Sequence, residues 1–147
     1  MVKILLEHEL SSISKAERNT AAFLAFQKRD FEVLKLLLEH GAPANKPEYL
    51  TGAALAGHAE IVKLFLKKDA SANGIRGGPN VLNQAVWNGH LDVVKVLLEH
   101  GAVISTATMN TPVAYPVNRT HAVYNEIRIV LNGYFNQQRR SRSTKGP

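Results

Sequence analysis

A pattern of fifteen residues occurs three times without a gap, and this recurrence constrains the chain more than its composition does. The copies are FEVLKLLLEHGAPAN at residues 31–45, AEIVKLFLKKDASAN at 59–73 and LDVVKVLLEHGAVIS at 91–105, with starts 28 and then 32 residues apart. Self-similarity at such a period marks stacked supersecondary units, none of which can bury its apolar face alone. Within each copy the apolar residues return at helical spacing, as at Val33, Leu34, Leu37 and Leu38, so one helix face is predicted to be buried. Gly41 and Gly101 follow the last apolar positions, where a helix C-terminus calls for a left-handed residue. Asp69 holds that place in the middle copy and should tolerate it less well.

A shorter apolar stretch precedes each copy and reads as a partner helix. In the second and third units these are AALAGH at 53–58 and AVWNGH at 85–90. Their alanines let two antiparallel helices approach closely, and the Gly-His pairs turn the chain into the second helix. The first unit is looser: residues 20–26 are apolar, but Arg29-Asp30 stands where Gly-His would be expected. Asp30 is a candidate cap for the helix that follows, and Ser14 with Glu17 fits a capping box for the one before.

Together these motifs resemble the ankyrin repeat, over roughly residues 20–131; the stretches Gly57–Leu64 and Gly89–Ala102 are near its consensus. The resemblance implies an all-α solenoid of helix–turn–helix units with short hairpin loops. Three parts are expected: a degenerate N-terminal half-repeat and linker over 1–19, the repeats with a closing helix over 20–138, and a basic tail over 139–147. The half-repeat rests on the likeness of residues 2–8 to 34–40 at an offset of 32, and it reads as a cap or as the trace of a frame that starts upstream. Asn45 to Glu48 leaves little room for a hairpin finger between the first two units, whereas Gly74–Pro79 is long enough for one. Thr111-Pro112 resembles the start of a fourth unit, which Pro116 should break. Val123, Ile127, Val130 and Tyr134 then share one face of a predicted closing helix.

Charge points first to nucleic acid or an anionic surface, since the net formal charge is +6. Its location weakens that reading. Arg139, Arg140, Arg142 and Lys145 supply four of the six charges from the last nine residues, which leaves the repeats nearly neutral. Lacking apolar residues, the tail is expected to be disordered. It is the basis of an alternative function: association with nucleic acid or anionic membrane, a nuclear-import signal, or a phosphorylation site at Ser141 or Ser143; a further alternative, motivated by the half-repeat at Met1, is a targeting fragment of a larger protein. Binding through the tail would fall steeply with salt.

Catalysis is not expected. With no cysteine, thiolate-metal and Cys-nucleophile chemistry are excluded. Five of the six histidines occupy repeat-equivalent places: His8, His40 and His100 near helix C-termini, His58 and His90 at turns. Such places have structural uses, and successive repeats hold them too far apart to share a metal ion. No phosphate loop or nucleophile elbow is present, and Asn118-Arg-Thr120 matches a glycosylation acceptor without a secretory signal to support it. No cofactor is expected. No apolar run is long enough to span a bilayer, and an intracellular monomer, cytoplasmic or nuclear, is the expectation.

The resemblance further implies that a partner protein binds the concave side, through finger tips and the exposed ends of the first helices. Here those ends are Gln27-Lys28, Leu55-Ala56, Trp87-Asn88 and, less regularly, Asn118-Arg119. Trp87 is the sole tryptophan, and tryptophan is enriched among residues that dominate binding energy. It is expected to form an apolar centre with Leu55, rimmed by Lys28, Lys46 and Arg76, unless its ring folds back on a neighbouring helix. The repeat itself yields a stability test. Leu37→Ala or Leu97→Ala should cost about 2–5 kcal/mol, and cooperative thermal melting near the parent temperature would contradict the buried face.

Overall fold

The computed structural model describes residues 8–9, 12–44, 46–68, 70–74, 80–110 and 121–143, the side chains of Pro47 and His121 excepted. The half-repeat before His8, Asn45, Asp69, Arg76 with the finger around it, the segment from Thr111 through Asn118-Arg119 to Thr120, and Lys145 lie outside the described residues. Three helix pairs follow one another: α1 (Lys15–Gln27) with α2 (Phe31–Glu39), α3 (Pro47–Ala56) with α4 (Ala59–Lys67), and α5 (Val81–Trp87) with α6 (Leu91–Glu99). A single turn, α7 (Thr106–Met109), and a long helix, α8 (His121–Ser143), complete the order. There is no strand among the described residues. The architecture is all-α, as the repeat pattern predicts.

Starts and stops follow local chemistry. Ser14 and Glu17 form the expected capping box: the Ser14 N–H donates to the Glu17 carboxylate at 2.7 Å and the Glu17 N–H to Ser14 Oγ at 3.2 Å. These bonds hold the Glu17 carboxyl below the usual carboxylate range. Asp30 Oδ1 accepts from the Val33 N–H at 3.2 Å, as expected of a cap. Asn80 does the same for Asn83 at 3.0 Å. The first helix of each pair ends in one closure. The Asp30, His58 and His90 N–H groups donate to the carbonyls of Ala25, Ala53 and Ala85 at 2.9, 3.0 and 2.9 Å. The residues before them, Arg29, Gly57 and Gly89, are left-handed, with φ of +56°, +81° and +68°. Arg29 is the one non-glycine with positive φ among the described residues. Its Cβ meets the steric penalty that glycine avoids, of order 1–2 kcal/mol.

Packing explains the alternation of large and small side chains. The first helices form an inner row in which α3 packs against α5, and the second helices an outer row in which α4 packs against both α2 and α6. Ala22, Ala25, Ala53, Ala54 and Ala85 are buried on the inner row; Leu34, Leu37, Leu38, Phe65, Leu97 and Leu98 fill the outer. Val33 departs from the predicted face and is 43% exposed, although its equivalents Ile61 and Val93 are buried. The cause is position: α4 and α6 each follow an outer helix, and α2 is the first one described. Tyr49 is buried among aromatic rings, 4.8 Å from Phe26 and 6.0 Å from Phe65, and its hydroxyl has no hydrogen-bond partner. Burial therefore pushes its pKa up, with a smaller contribution from Glu48.

The closing helix packs on α6. Its buried face centres on Tyr124, Ile127 and Leu131, with the predicted Val123, Val130 and Tyr134 half-buried on the flanks. It also runs further than composition suggested: residues 139–143, expected to be disordered, are helical. Arg and Gln are strong helix formers, elongation of an anchored helix adds a bond per residue, and arginines suit a helix C-terminus. A tertiary clamp holds this end. Gln138 Nε2 donates to the Ala102 carbonyl at 2.9 Å, and Gln138 Oε1 accepts from the Ile104 N–H at 3.3 Å. Between them, the Val103 N–H donates to Asn73 Oδ1 of the preceding unit at 2.8 Å. Gln138→Ala should therefore destabilise the fold by about 1–3 kcal/mol, the range for leaving buried backbone groups unpaired. An unchanged denaturation midpoint would show that the far end of α8 is not docked.

Candidate functional site

The inter-helix turns position the exposed ends of the inner helices, and one contact carries most of that. The His90 Nε2–H donates to the Leu55 carbonyl at 2.9 Å, bridging the third unit to the end of α3. Acceptance by a carbonyl fixes the imidazole tautomer. The ring lies so close to Gly57 that a Cβ there would stand 2.6 Å from Nδ1. Gly57 thus serves twice, through its left-handed backbone and through the space it leaves. His58, the equivalent residue one unit earlier, lies with its ring 4.0 Å from that of Phe31. His100 Nδ1 meets the Val96 carbonyl at 2.8 Å, within its own helix end.

The junction leaves Leu55 and Trp87 at equivalent positions on adjacent inner helices, 43% and 42% exposed. Gln27 holds the same place on α1 and is exposed, as are Lys28 and Ala56. Asn88 is half-buried, its Nδ2 donating to the Gln84 carbonyl at 2.8 Å.

The structure draws some of the anticipated residues together and separates others. Gln27, Leu55 and Ala56 line one cleft of about 440 Å³ with Phe26, Arg29, Phe31 and Gly52. It lies between the first and second units, on the side of Leu55 away from Trp87. Gly52 makes room for the Phe26 ring, since a Cβ there would come within 2.4 Å of it. Lys46 is elsewhere: it precedes α3, a helix length of roughly 15 Å from Leu55, with its ammonium 4.9 Å from the Phe23 ring centroid and 5.9 Å from that of Tyr49. It belongs to a cation–π contact with α1 and not to a rim around Leu55. Arg76 lies outside the described residues. The cleft and Arg29 went unread in the sequence, although Arg29 in the place of a turn glycine was the available signal.

Among the described residues, no three His, Cys, Asp or Glu side chains gather to hold a metal ion. No described helix is long and apolar enough to cross a membrane. The site is thus a row of helix ends carrying apolar and amide side chains, with two cations at the first turn.

Stacked helix pairs of this kind make the chain a repeat solenoid, a class that uses its extended surface for recognition. Residues 44–108, which hold the second and third units, match the family model described as ankyrin repeats (3 copies). Ankyrin repeats are a protein–protein interaction module and are generally non-catalytic. Among curated proteins, 111 residues are 32% identical to mouse palmitoyltransferase ZDHHC13, covering 65% of this chain and 18% of that protein. Over 120 residues the chain is 28% identical to human transient receptor potential cation channel subfamily A member 1, covering 71% of this chain and 11% of that protein. The chain thus spans less than a fifth of the length of these relatives.

The geometry of the junction makes Gly57→Ala disruptive on two counts, the positive φ and the clash with His90. A loss of about 2–4 kcal/mol is expected, from left-handed strain together with overpacking. Chemical denaturation that returned the parent stability would show that the ring does not fill this turn.

Proposed function

We propose that the chain is a non-catalytic recognition module whose exposed inner-helix ends bind a partner protein. The observation that carries the reading is the exposure of Leu55 and Trp87 at equivalent positions of neighbouring helices. These helices bury apolar side chains elsewhere, so a leucine and a tryptophan left in water at the same register form a surface suited to an apolar contact. Ala56 extends the apolar contact, and Gln27, Lys28 and Asn88 supply the polar surround found at the edge of such interfaces. In this reading the module acts inside the cell as a monomer, its net charge of +6 opposing self-association. The two relatives contain the matched stretch as a minor part of their length. That supports reading the repeats as a docking element, one that can serve inside a larger protein.

The test compares a partner isolated by affinity capture on the parent chain with Trp87→Ala and Leu55→Ala variants. Trp87→Ala should weaken binding roughly thirtyfold, as loss of about 2 kcal/mol at an anchoring residue does, with Tm nearly unchanged. Binding unaffected by either variant would refute the reading, and a large fall in Tm would place the Trp87 ring in the core.

A further inference from the structure

The cleft between the first two units differs from the rest of the inner-helix row in shape and in charge. Its walls are apolar, formed by Phe26, Phe31, Leu55 and the bare backbone of Gly52, and its volume of about 440 Å³ falls in the range of ligand-holding pockets. Gln27 and Arg29 complete the lining, and no acidic side chain contributes to it. The neighbouring carboxylate of Asp30 is engaged in capping α2. Lys28, next in the chain, is exposed. Lys28 and Arg29 together outnumber the Asp30 carboxylate, so the charge beside this end of the cleft is net positive.

Arg29 supplies a second, independent observation. The chain places glycine at this left-handed turn position twice, at Gly57 and Gly89, and a long cation once. Arginine at φ +56° is held against its own conformational preference by the helix closure on either side. Glycine would relax the turn, but it would also remove the cationic side chain of a residue that lines the cleft. Strain that ordinary turn-making does not require, at a residue that lines a cavity, is accounted for by what the side chain meets there.

We propose that this cleft receives a protein segment that pairs a large apolar side chain with a carboxylate one to four residues away. The apolar group enters between Phe26, Phe31 and Leu55, and the carboxylate meets Arg29, whose planar fork matches carboxylate geometry. The proposal rests on the recognition function above and narrows its partner to an acidic, apolar segment. A second copy of the chain is a poorer occupant, because its excess charge is positive, most of it in the C-terminal tail, and its nearly neutral repeats offer no net acidic character to meet these cations.

The test starts from a displayed library of random twelve-residue peptides selected against the full chain. Labelled synthetic versions of the selected peptides are then measured by fluorescence anisotropy. The selected peptides should join Asp or Glu to Leu, Phe or Trp at that spacing. Replacing the acid by lysine should weaken them roughly tenfold at low salt, and the difference should shrink as salt is raised. Arg29→Gly should abolish this discrimination while raising Tm by about 2–4 °C through relief of the turn. A structural role alone would give the rise in Tm without the loss of discrimination. Arg139→Ala, Arg140→Ala and Arg142→Ala together should leave peptide binding unchanged.

Contrary outcomes separate the two readings. Peptides that lose affinity with Trp87→Ala but ignore Arg29→Gly overturn the cleft inference and leave the wider surface intact. Peptides that ignore both substitutions overturn both. Selection without an acidic bias, no selection at all, or loss of binding on removing the α8 arginines also overturns the inference.

Discussion

Each inner helix ends by turning through one left-handed residue, and the arrangement of the molecule depends on that turn. The closure at Arg29, Gly57 and Gly89 satisfies carbonyls that a helix terminus would otherwise leave unpaired, and it sends the outer helix back along the inner one. Because the turn at Gly57 has no side chain, the His90 ring of the next unit can reach over it to the Leu55 carbonyl. A local backbone requirement thereby becomes a contact between units. In an array stabilised by nearest-neighbour interfaces, such a bridge sets the register of one helix end against the next. The placing of Leu55 beside Trp87 follows from this register, and Gln27 holds the equivalent place through the closure at Arg29.

Side-chain amides perform a related service where the outer helices end. The backbone of residues 102–104 has no strand partner among the described residues, yet its polar groups are met by Asn73 from one side and Gln138 from the other. This pairs buried backbone groups without a sheet. It also ties α8 to the last unit at both ends, through the buried Tyr124 and Ile127 near its start and Gln138 near its finish. The third unit is thus covered by α8, while Leu55 and Trp87 at the inner-helix ends remain exposed.

Most of the fold was legible because its determinants are local and repeated. Helical spacing of leucines, small inner residues, the Ser14–Glu17 box, the Asp30 cap and the Gly-His turns each have one dominant structural meaning. What was not legible depended on tertiary partners. The helical state of residues 139–143 could not be inferred from a polar composition, because it rests on Gln138 meeting a distant loop. Val33 has the same local pattern as its buried equivalents and differs in having no outer helix before it among the described residues. The turn α7, capped reciprocally by Ser105 and Thr108, was missed because threonine is an uncommon third residue in such a box. At the site, the exposure of Leu55 and Trp87 accorded with their repeat position. The cleft on the other side of Leu55 did not show, since it arises from the meeting of Phe26, Gly52 and Phe31 across two units.

The central claim is that these inner-helix ends form one recognition surface. Amide chemical-shift mapping of the isotopically labelled chain during titration with a bound partner segment tests it most directly. The account predicts perturbations concentrated at residues 24–30, 52–58 and 84–90, with α4, α6 and the arginine-bearing end of α8 undisturbed. Perturbations centred on the outer helices or on residues 136–143, with the inner-helix ends silent, would contradict it.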